Sequence, residues 1–167
     1  MIRPVRDDDF PAIAAITNHY ITTTTYHFAY EPLPVDQYRA MQKPKFPWFA
    51  YDDGAVLGYA KAGVWRDRAA YDWTCEIGLY VTESARGRGI GRALYTALLD
   101  ELARRGFRSA IAGITLPNDP SIELHRKFGF ESVGIVRDAG YKHGGWCDVE
   151  FFQKRFTTTS SSPPAVI

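Results

Sequence analysis

The stretch that decides the fold reads RGRGIGRALYTALLDELARRG and spans residues 86–106. From Gly91 to Arg105 the apolar side chains recur at helical spacing on one face, and Gly106 is placed to end the helix. The glycines just before the helix allow a tight turn and a close approach of the backbone to a ligand. Because the free N–H groups and the dipole of a helix N-terminus favour anions, this loop with its arginines suits a pyrophosphate.

Two common phosphate-binding motifs are excluded by the spacing. A P-loop needs G-x-x-x-x-G-K-[ST], and no lysine in this chain is followed by serine or threonine. A dinucleotide loop needs G-x-G-x-x-G, but the last of these positions falls on Arg92. What is left is R-x-x-G-x-G, formed by Arg86, Gly89 and Gly91. The alternative is a plain strand-to-helix turn, in which the glycines serve the geometry and the arginines the solubility.

Outward from this loop, hydrophobic periodicity predicts strands and helices in mixed order. Asp53-Gly54 predicts a hairpin turn, Asp7–Asp9 offer an N-cap to a first helix that begins near Phe10, and Gly140–Gly145 is predicted to be a glycine-rich loop. The predicted strands are 2–5, 48–51, 55–64, 71–81, 107–115, 130–136 and 147–156, and the later helices are 36–41, 91–105 and 120–128. This order indicates an α/β (α+β) domain with a mixed sheet.

The bulk composition fits one globular domain. The 167 residues are 46% hydrophobic and carry a formal net charge of +1, which gives no indication of nucleic-acid or membrane-surface binding. We expect a single domain over residues 1–156 and a Ser/Thr/Pro-rich tail over residues 157–167. Cys75 and Cys147 lie far apart, the histidines show no metal-ligand spacing, and neither a signal peptide nor a membrane span is apparent. These features predict a cytoplasmic protein that uses no metal.

A second segment strengthens the indication given by the glycine loop. Asn118-Asp119-Pro120-Ser121 is followed by Leu124-His125 and by Phe128-Gly129-Phe130. Together with R-x-x-G-x-G, these residues resemble the coenzyme A-binding region of the GCN5-related N-acetyltransferases. Residues 71–74 ahead of Glu76, 116–121 and 139–146 narrow the resemblance to phosphinothricin and methionine sulfoximine acetyltransferases. The resemblance implies a central mixed, mostly antiparallel sheet of about seven strands flanked by about four helices.

The resemblance also implies the ligands and the assembly. Acetyl-CoA is the expected cosubstrate, and a homodimer is expected in which Tyr141 and Trp146 could contact the partner. The expected acetyl-CoA-binding residues are the strand residues Leu79, Tyr80 and Val81, the loop residues Arg86, Gly87, Arg88, Gly89, Ile90, Gly91 and Arg92, and the later pair Asn118 and Ser121.

Two residues are candidates for the proton transfers. An amino acid's ammonium group is mostly protonated at neutral pH, so a general base helps the amine to attack a thioester. Glu76 interrupts an apolar and aromatic strand, where partial burial would raise the pKa of its carboxyl, although a solvent-facing strand residue is the alternative. Similar enzymes carry a glutamate here as the proposed base. His125 stands where many superfamily members have a tyrosine that protonates the leaving thiolate, and a structural histidine is the equal alternative.

The resemblance implies a small amino-acid-like substrate, such as L-phosphinothricin or methionine sulfoximine, held by cations and aromatic walls. The expected substrate-binding residues are Phe28, Arg66, Arg68, Tyr71 and Tyr80. Two departures leave a related analogue or another amine open as the substrate. Gly78 stands where the family usually has a small hydroxyl residue, and residues 29–32 differ beside the pocket.

Two other functions stay open at this stage. Acetylation of a protein N-terminus or lysine would need an open groove, whereas the aromatic segment 20–30 predicts a closed pocket. A coenzyme A-binding module without catalysis would keep the glycine loop but make no use of Glu76.

Overall fold

Seven strands pair into one sheet in the computed structural model, which describes residues 1–157. The strands are β1 (Ile2–Pro4), β2 (Trp48–Asp52), β3 (Val56–Val64), β4 (Thr74–Val81), β5 (Ser109–Thr115), β6 (Glu131–Lys142) and β7 (Gly145–Arg155). The helices are α1 (Phe10–Thr23), α2 (Val35–Met41), α3 (Ile90–Arg104) and α4 (Asp119–Lys127). The strand order is β1-β2-β3-β4-β5-β7-β6, and among the described residues β4 and β5 form the one parallel pair. The predicted mixed, mostly antiparallel sheet with four helices is confirmed.

Alternation along the strands gives the sheet two apolar faces. Tyr59 of β3 packs with α1 and α2 on one side, whereas its neighbours Ala60 and Ala62 join the core that α3 covers on the other. Leu94, Leu98 and Leu102 of α3 are fully buried, in agreement with the predicted apolar face. The small alanines of β3 let α3 approach the sheet closely.

The parallel pair separates partway along its length. Registered partners run from Thr74↔Ser109 to Glu76↔Ile111, and no pair follows among the described residues. Beyond Glu76, β4 therefore pairs only with β3 through its other edge. The N–H and C=O groups on the freed edge of residues 77–81 face a gap, where a ligand can satisfy those that lack a protein partner; the Val81 carbonyl already accepts a hydrogen bond from the Tyr20 hydroxyl.

Two local predictions are wrong, and a third is right in position only. Residues 140–142 belong to β6, because Gly140 pairs with Cys147 and Tyr141 with Trp146, and only residues 143–144 form the turn. Residues 69–71 form a 3₁₀ turn, held by the Tyr71 N–H bond to the Arg68 carbonyl, so β4 begins later than predicted. Asp9 is the N-cap residue of α1, as predicted, but its carboxylate makes no capping hydrogen bond, because it binds the Arg3 guanidinium and the Arg6 N–H instead.

Three further expectations concern the tail, the membrane and the cysteines. Apart from Thr157, the predicted tail lies outside the described residues. No described helix has the length and hydropathy to cross a bilayer. Cys75 and Cys147 are both buried and free.

Candidate active site

The gap between β4 and β5 opens into a cavity of about 1330 Å³. Its walls include residues 76–81 of β4, residues 112–115 of β5, the loop before α3, the start of α4, Tyr20 in the last turn of α1, and residues 26–28 after that helix. Most of the predicted site residues therefore meet in one place. Arg68, Tyr71 and Arg88 are the exceptions.

The glycine loop forms the anion-binding end of this cavity. Gly87 and Gly89 both have a φ of 77°, which favours glycine, and Gly89 is the N-cap of α3. The first helical hydrogen bond runs from the Ala93 N–H to the Gly89 carbonyl, so the amides of residues 90–92 have no intrahelical acceptor. Free amides at the positive end of a 15-residue helix fit the phosphates of coenzyme A.

The arginines of the loop differ in their positions. Arg86 lines the cavity and donates a hydrogen bond to the Tyr20 hydroxyl at 3.0 Å, and Tyr20 in turn donates to the Val81 carbonyl. Arg92 also lines the cavity. Arg88 instead pairs with Asp53 at 3.1 Å on the exposed surface, so its predicted role in acetyl-CoA binding has no support from its position.

Asn118 and Ser121 lie at the other wall of the gap. The Asn118 side-chain oxygen caps α4 by accepting a hydrogen bond from the Ser121 N–H at 3.4 Å. The Asn118 side-chain NH₂ group has no acceptor among the described residues, so it can donate to a ligand in the cavity. Capping of α4 thus explains why an asparagine stands at residue 118, and it also fixes the orientation of the free side-chain NH₂ group.

Glu76 projects into the cavity at the last registered pair of β4 and β5. The cavity keeps the carboxylate accessible to solvent, yet the surrounding walls remove part of its hydration. Partial burial raises the pKa of Glu76 above its usual value, whereas the cations of Lys61 and Arg66 lower it by a smaller amount. A carboxylate with a raised pKa beside an open cavity is suited to act as a general base.

His125 occupies the buried edge of the cavity, with both ring nitrogens engaged. Its Nδ1 lies 2.7 Å from the Ser121 carbonyl oxygen, which can only accept, so Nδ1 carries the proton. Burial lowers the pKa of the imidazole, and in the neutral ring Nε2 accepts from the Tyr95 hydroxyl at 2.8 Å. The rings of Phe130 and Phe152 pack against it. These contacts favour the structural alternative over a role as general acid.

Replacing His125 with Ala is therefore expected to act on stability. The buried Tyr95 hydroxyl loses its acceptor, at a cost of about 1–3 kcal/mol, and the cavity left beside Phe130 and Phe152 adds to this cost, so we expect the Tm to fall by at least about 3 °C. We expect kcat/KM well below the Tm to stay within about threefold of wild type. Tyr95→Phe removes the same hydrogen bond from the other side and is the matched control. A loss of kcat above about 100-fold with an unchanged Tm would instead identify His125 as the acid.

The predicted substrate-binding residues separate into two groups. Phe28, Arg66 and Tyr80 line the main cavity. Arg68 and Tyr71 line a second cavity of about 290 Å³, which Arg66 also borders. The 3₁₀ turn at residues 69–71 carries the last two away from β4, so the structure does not bring them to Glu76.

The sequence did not reveal how the pocket wall is anchored. Lys142 is buried, and its ammonium donates to the Ile21 carbonyl at 2.5 Å and the His27 carbonyl at 2.6 Å. The Phe28 ring covers Gly140 so closely that a Cβ there would lie 2.5 Å from a ring carbon. The segment that carries Phe28 is thus fastened to the β6–β7 hairpin. Residues 139–146 were noted in the sequence for their resemblance to the family, but that resemblance did not indicate these contacts.

Lys142→Met is expected to loosen this wall. Without the ammonium group, the carbonyls of Ile21 and His27 lose their donor, and Phe28 loses its fixed position. We expect the amine KM to rise about 5- to 20-fold and the coenzyme A affinity to stay within about twofold, in steady-state kinetics and calorimetry. The surface variant Lys127→Met is the control. A fall in Tm with an unchanged KM would contradict a positioning role.

The sheet with its separated parallel strands, and the free amides at the start of α3, define an acyl-CoA-dependent acyltransferase site. Residues 13–130 match the model of the acetyltransferase (GNAT) family, and the chain belongs to this family. Membership of the family confirms the predicted superfamily, the reaction class of acetyl transfer and the cosubstrate acetyl-CoA.

The similarity to individual proteins extends over nearly the whole chain. Phosphinothricin N-acetyltransferase of Streptomyces viridochromogenes is 43% identical, with 98% of this chain and 91% of that protein covered. The L-methionine sulfoximine/L-methionine sulfone acetyltransferase of Pseudomonas paraeruginosa is 34% identical, with 97% and 98% covered. A phosphinothricin acetyltransferase from Sinorhizobium meliloti, crystallised with acetyl-CoA, superposes with a TM-score of 0.93 at 31% identity, and covers 99% of this chain and 93% of its own.

Proposed function

We propose that this enzyme moves the acetyl group of acetyl-CoA to the primary amine of a small amino-acid-like substrate, such as L-phosphinothricin or methionine sulfoximine or sulfone. One observation carries the proposal. Glu76 projects into the cavity at the point where the edge of β4 becomes free, so a base and free backbone donors converge there. The relatives named for these substrates support the choice of substrate.

The chain's own groups account for the proton and charge changes of this reaction. Glu76 accepts a proton from the substrate ammonium group, directly or through a water molecule. The freed amine forms a bond to the thioester carbonyl carbon, and a backbone N–H on the open edge of residues 79–81 stabilises the carbonyl oxygen. The C–S bond then breaks, and the thiolate leaves as the second N–H proton is lost to solvent. No dedicated acid is required, because a thiolate leaves readily.

Acetylation of a protein is the less favoured function. A peptide would need a groove that continues past the amine, but the segment from Tyr20 to Phe28 lies over that side of the cavity. Lys142 holds the segment there by two hydrogen bonds to its backbone. A small amine therefore fits this pocket better than a peptide.

The first test is thiol release from acetyl-CoA by the purified protein. The amines offered are L-phosphinothricin, L-methionine sulfoximine, L-methionine sulfone and a panel of short peptides. We expect turnover on the amino acids and none on the peptides. Turnover only on peptides would overturn the substrate class, and coenzyme A binding without any turnover would indicate a binding module. Turnover on phosphinothricin would also predict resistance to it in cells.

We further propose a homodimer that forms through β6. This edge strand exposes Val133, Ile135 and Val136, and Trp146 is 67% exposed at the start of β7. An apolar edge of this kind is a liability unless another surface covers it, and a second copy offers the same surface. Light scattering should give twice the chain mass, and Trp146→Glu should shift it towards the monomer.

The remaining proposals concern organisation and location. We propose that residues 1–156 act as one catalytic domain, since all seven strands share a sheet. We also propose a cytoplasmic location, which the two free, buried cysteines support.

A further inference from the structure

Lys61 is a cation in the cavity that neither the glycine loop nor the proposed base accounts for. It lies on β3, opposite Trp48 on one side and Gly78 on the other. Because side chains alternate along a strand, it faces the same side of the sheet as Tyr59, Tyr80 and Glu76. Its side chain is half-buried and lines the main cavity.

The ammonium group of Lys61 lacks a polar partner within residues 1–157. It has neither a hydrogen-bond acceptor nor an ion pair within 4 Å there; the ammonium group lies over the face of the Trp48 ring, 5.3 Å from the ring centroid, and Glu76 is a negative charge that acts on it from a greater distance. Burial lowers its pKa, and the charge of Glu76 opposes that shift. Because this half-buried ammonium group has no hydrogen-bond acceptor in the described part of the chain, a ligand in the cavity can supply one.

Gly78 lies against the stem of this lysine. A Cβ at residue 78 would lie 3.5 Å from the Lys61 Cε and 3.7 Å from its Cγ, so the lysine stem lies directly over the glycine. The position that departs from the family pattern therefore lies in contact with the lysine of the neighbouring strand.

The charge requirement of the proposed substrate points to the same residue. Phosphinothricin carries two anionic groups, the α-carboxylate and the phosphinate, and each favours a cation. Of the two arginines predicted to supply these cations, only Arg66 lines the main cavity. Lys61 lies in the cavity that Arg68 does not reach, on the same face as Glu76.

We propose that Lys61 is a specificity-determining residue whose ammonium group binds an anionic side-chain head group of the amino-acid substrate. This inference rests on the proposed function, because it names which members of that substrate class are preferred. The enzyme then selects amino acids with a charged head group over isosteric amino acids with a neutral one.

Phosphinothricin and methionine sulfone test the proposal, because they have the same shape and differ by one negative charge on the head group. Lys61→Met keeps the length of the side chain and removes its charge. The cation of Lys61 also lowers the pKa of Glu76, so the comparison is made at a pH well above the acidic limb, where Glu76 is ionised in both proteins. There we expect kcat/KM for phosphinothricin to fall about 10- to 100-fold in this variant, chiefly through KM, and that for methionine sulfone to change less than about threefold. Lys43→Met, at an exposed lysine on the rim of the same cavity, should leave the ratio of the two substrates unchanged.

Two results would overturn the proposal: an equal loss on both substrates, which places Lys61 at a shared part of the substrate, and no loss on either. Calorimetric binding of both amino acids to the coenzyme A-loaded protein distinguishes failure of the Lys61 proposal from failure of the proposed function. If the wild type transfers acetyl to neither amino acid, the proposed function fails. The Lys61 inference then stands only if phosphinothricin still binds and Lys61→Met weakens it selectively.

Discussion

Glu76→Gln is expected to lower kcat for acetyl transfer by about 10²- to 10⁴-fold, which is the usual contribution of a positioned general base. Glutamine keeps the size and polarity of the side chain but cannot accept a proton from an ammonium group. The side chain projects into an open cavity, so the substitution leaves the core packing unchanged and the Tm should stay within about 2 °C. Thiol-release kinetics with saturating acetyl-CoA provide the measurement.

The pH dependence gives this prediction a second readout. Burial raises the pKa of Glu76, and the base acts only when it is ionised. Activity should therefore fall as the pH drops through that raised pKa, at a higher pH than an ordinary glutamate would give. This acidic limb should be absent in Glu76→Gln. Glu123→Gln, at an exposed glutamate on α4, is the control and should keep both the rate and the limb.

An unchanged rate in Glu76→Gln would contradict the proposed base. If coenzyme A still bound, Glu76 would be a solvent-facing strand residue without a catalytic role, or the protein would be a coenzyme A-binding module. A lost rate together with a lost fold would be recognised by the Tm of the same sample, and Glu76→Ala with added carboxylate ions would then test for chemical rescue.

The second large effect is expected from a charge placed at the glycine loop. Gly89→Asp and Gly89→Asn have side chains of nearly the same shape, and both residues tolerate the left-handed conformation that Gly89 adopts. Within residues 1–157, no heavy atom other than those of the adjoining backbone and chain neighbours lies within 4 Å of the position of an added Cβ. We expect coenzyme A to bind about 10- to 100-fold more weakly to the Asp variant than to the Asn variant, because a carboxylate opposes the phosphates at this site.

Stability and salt distinguish this effect from damage to the loop. An aspartate at the N-cap interacts favourably with the helix dipole, so the free Asp variant should be at least as stable as the Asn variant. Calorimetry at low and high ionic strength should show the difference in affinity shrink with added salt, since screening weakens the repulsion. Equal affinities of the two variants would place the phosphates elsewhere.

Much of the fold could be predicted because it depends on local pattern. The helical spacing of Leu94, Leu98 and Leu102 and the Asp-Gly turn at Asp53-Gly54 each act over a few residues. Predictions became wrong where a distant partner decided the outcome. Gly140 lies in a strand because it pairs with Cys147, although its neighbours indicated a loop.

The candidate site shows the same division. The glycine loop and Asn118 were predicted from the sequence because each belongs to a short motif. Glu76 was predicted because it is a charged residue within an apolar and aromatic strand. Lys61 and Lys142 were missed, since a single lysine has no local signal for a partner that lies on a distant segment or in a ligand.

The sequence by itself determined the order of the elements, the faces they bury and the anion-binding loop, because periodicity and glycine placement act within one element. Only the tertiary structure decided which side chains share the cavity. The separation of β4 from β5 after Glu76 opens it, the turn at residues 69–71 removes Arg68 from it, and the register of β3 brings Lys61 into it. These contacts join residues of different elements, and their distances depend on how the strands diverge and the helices pack.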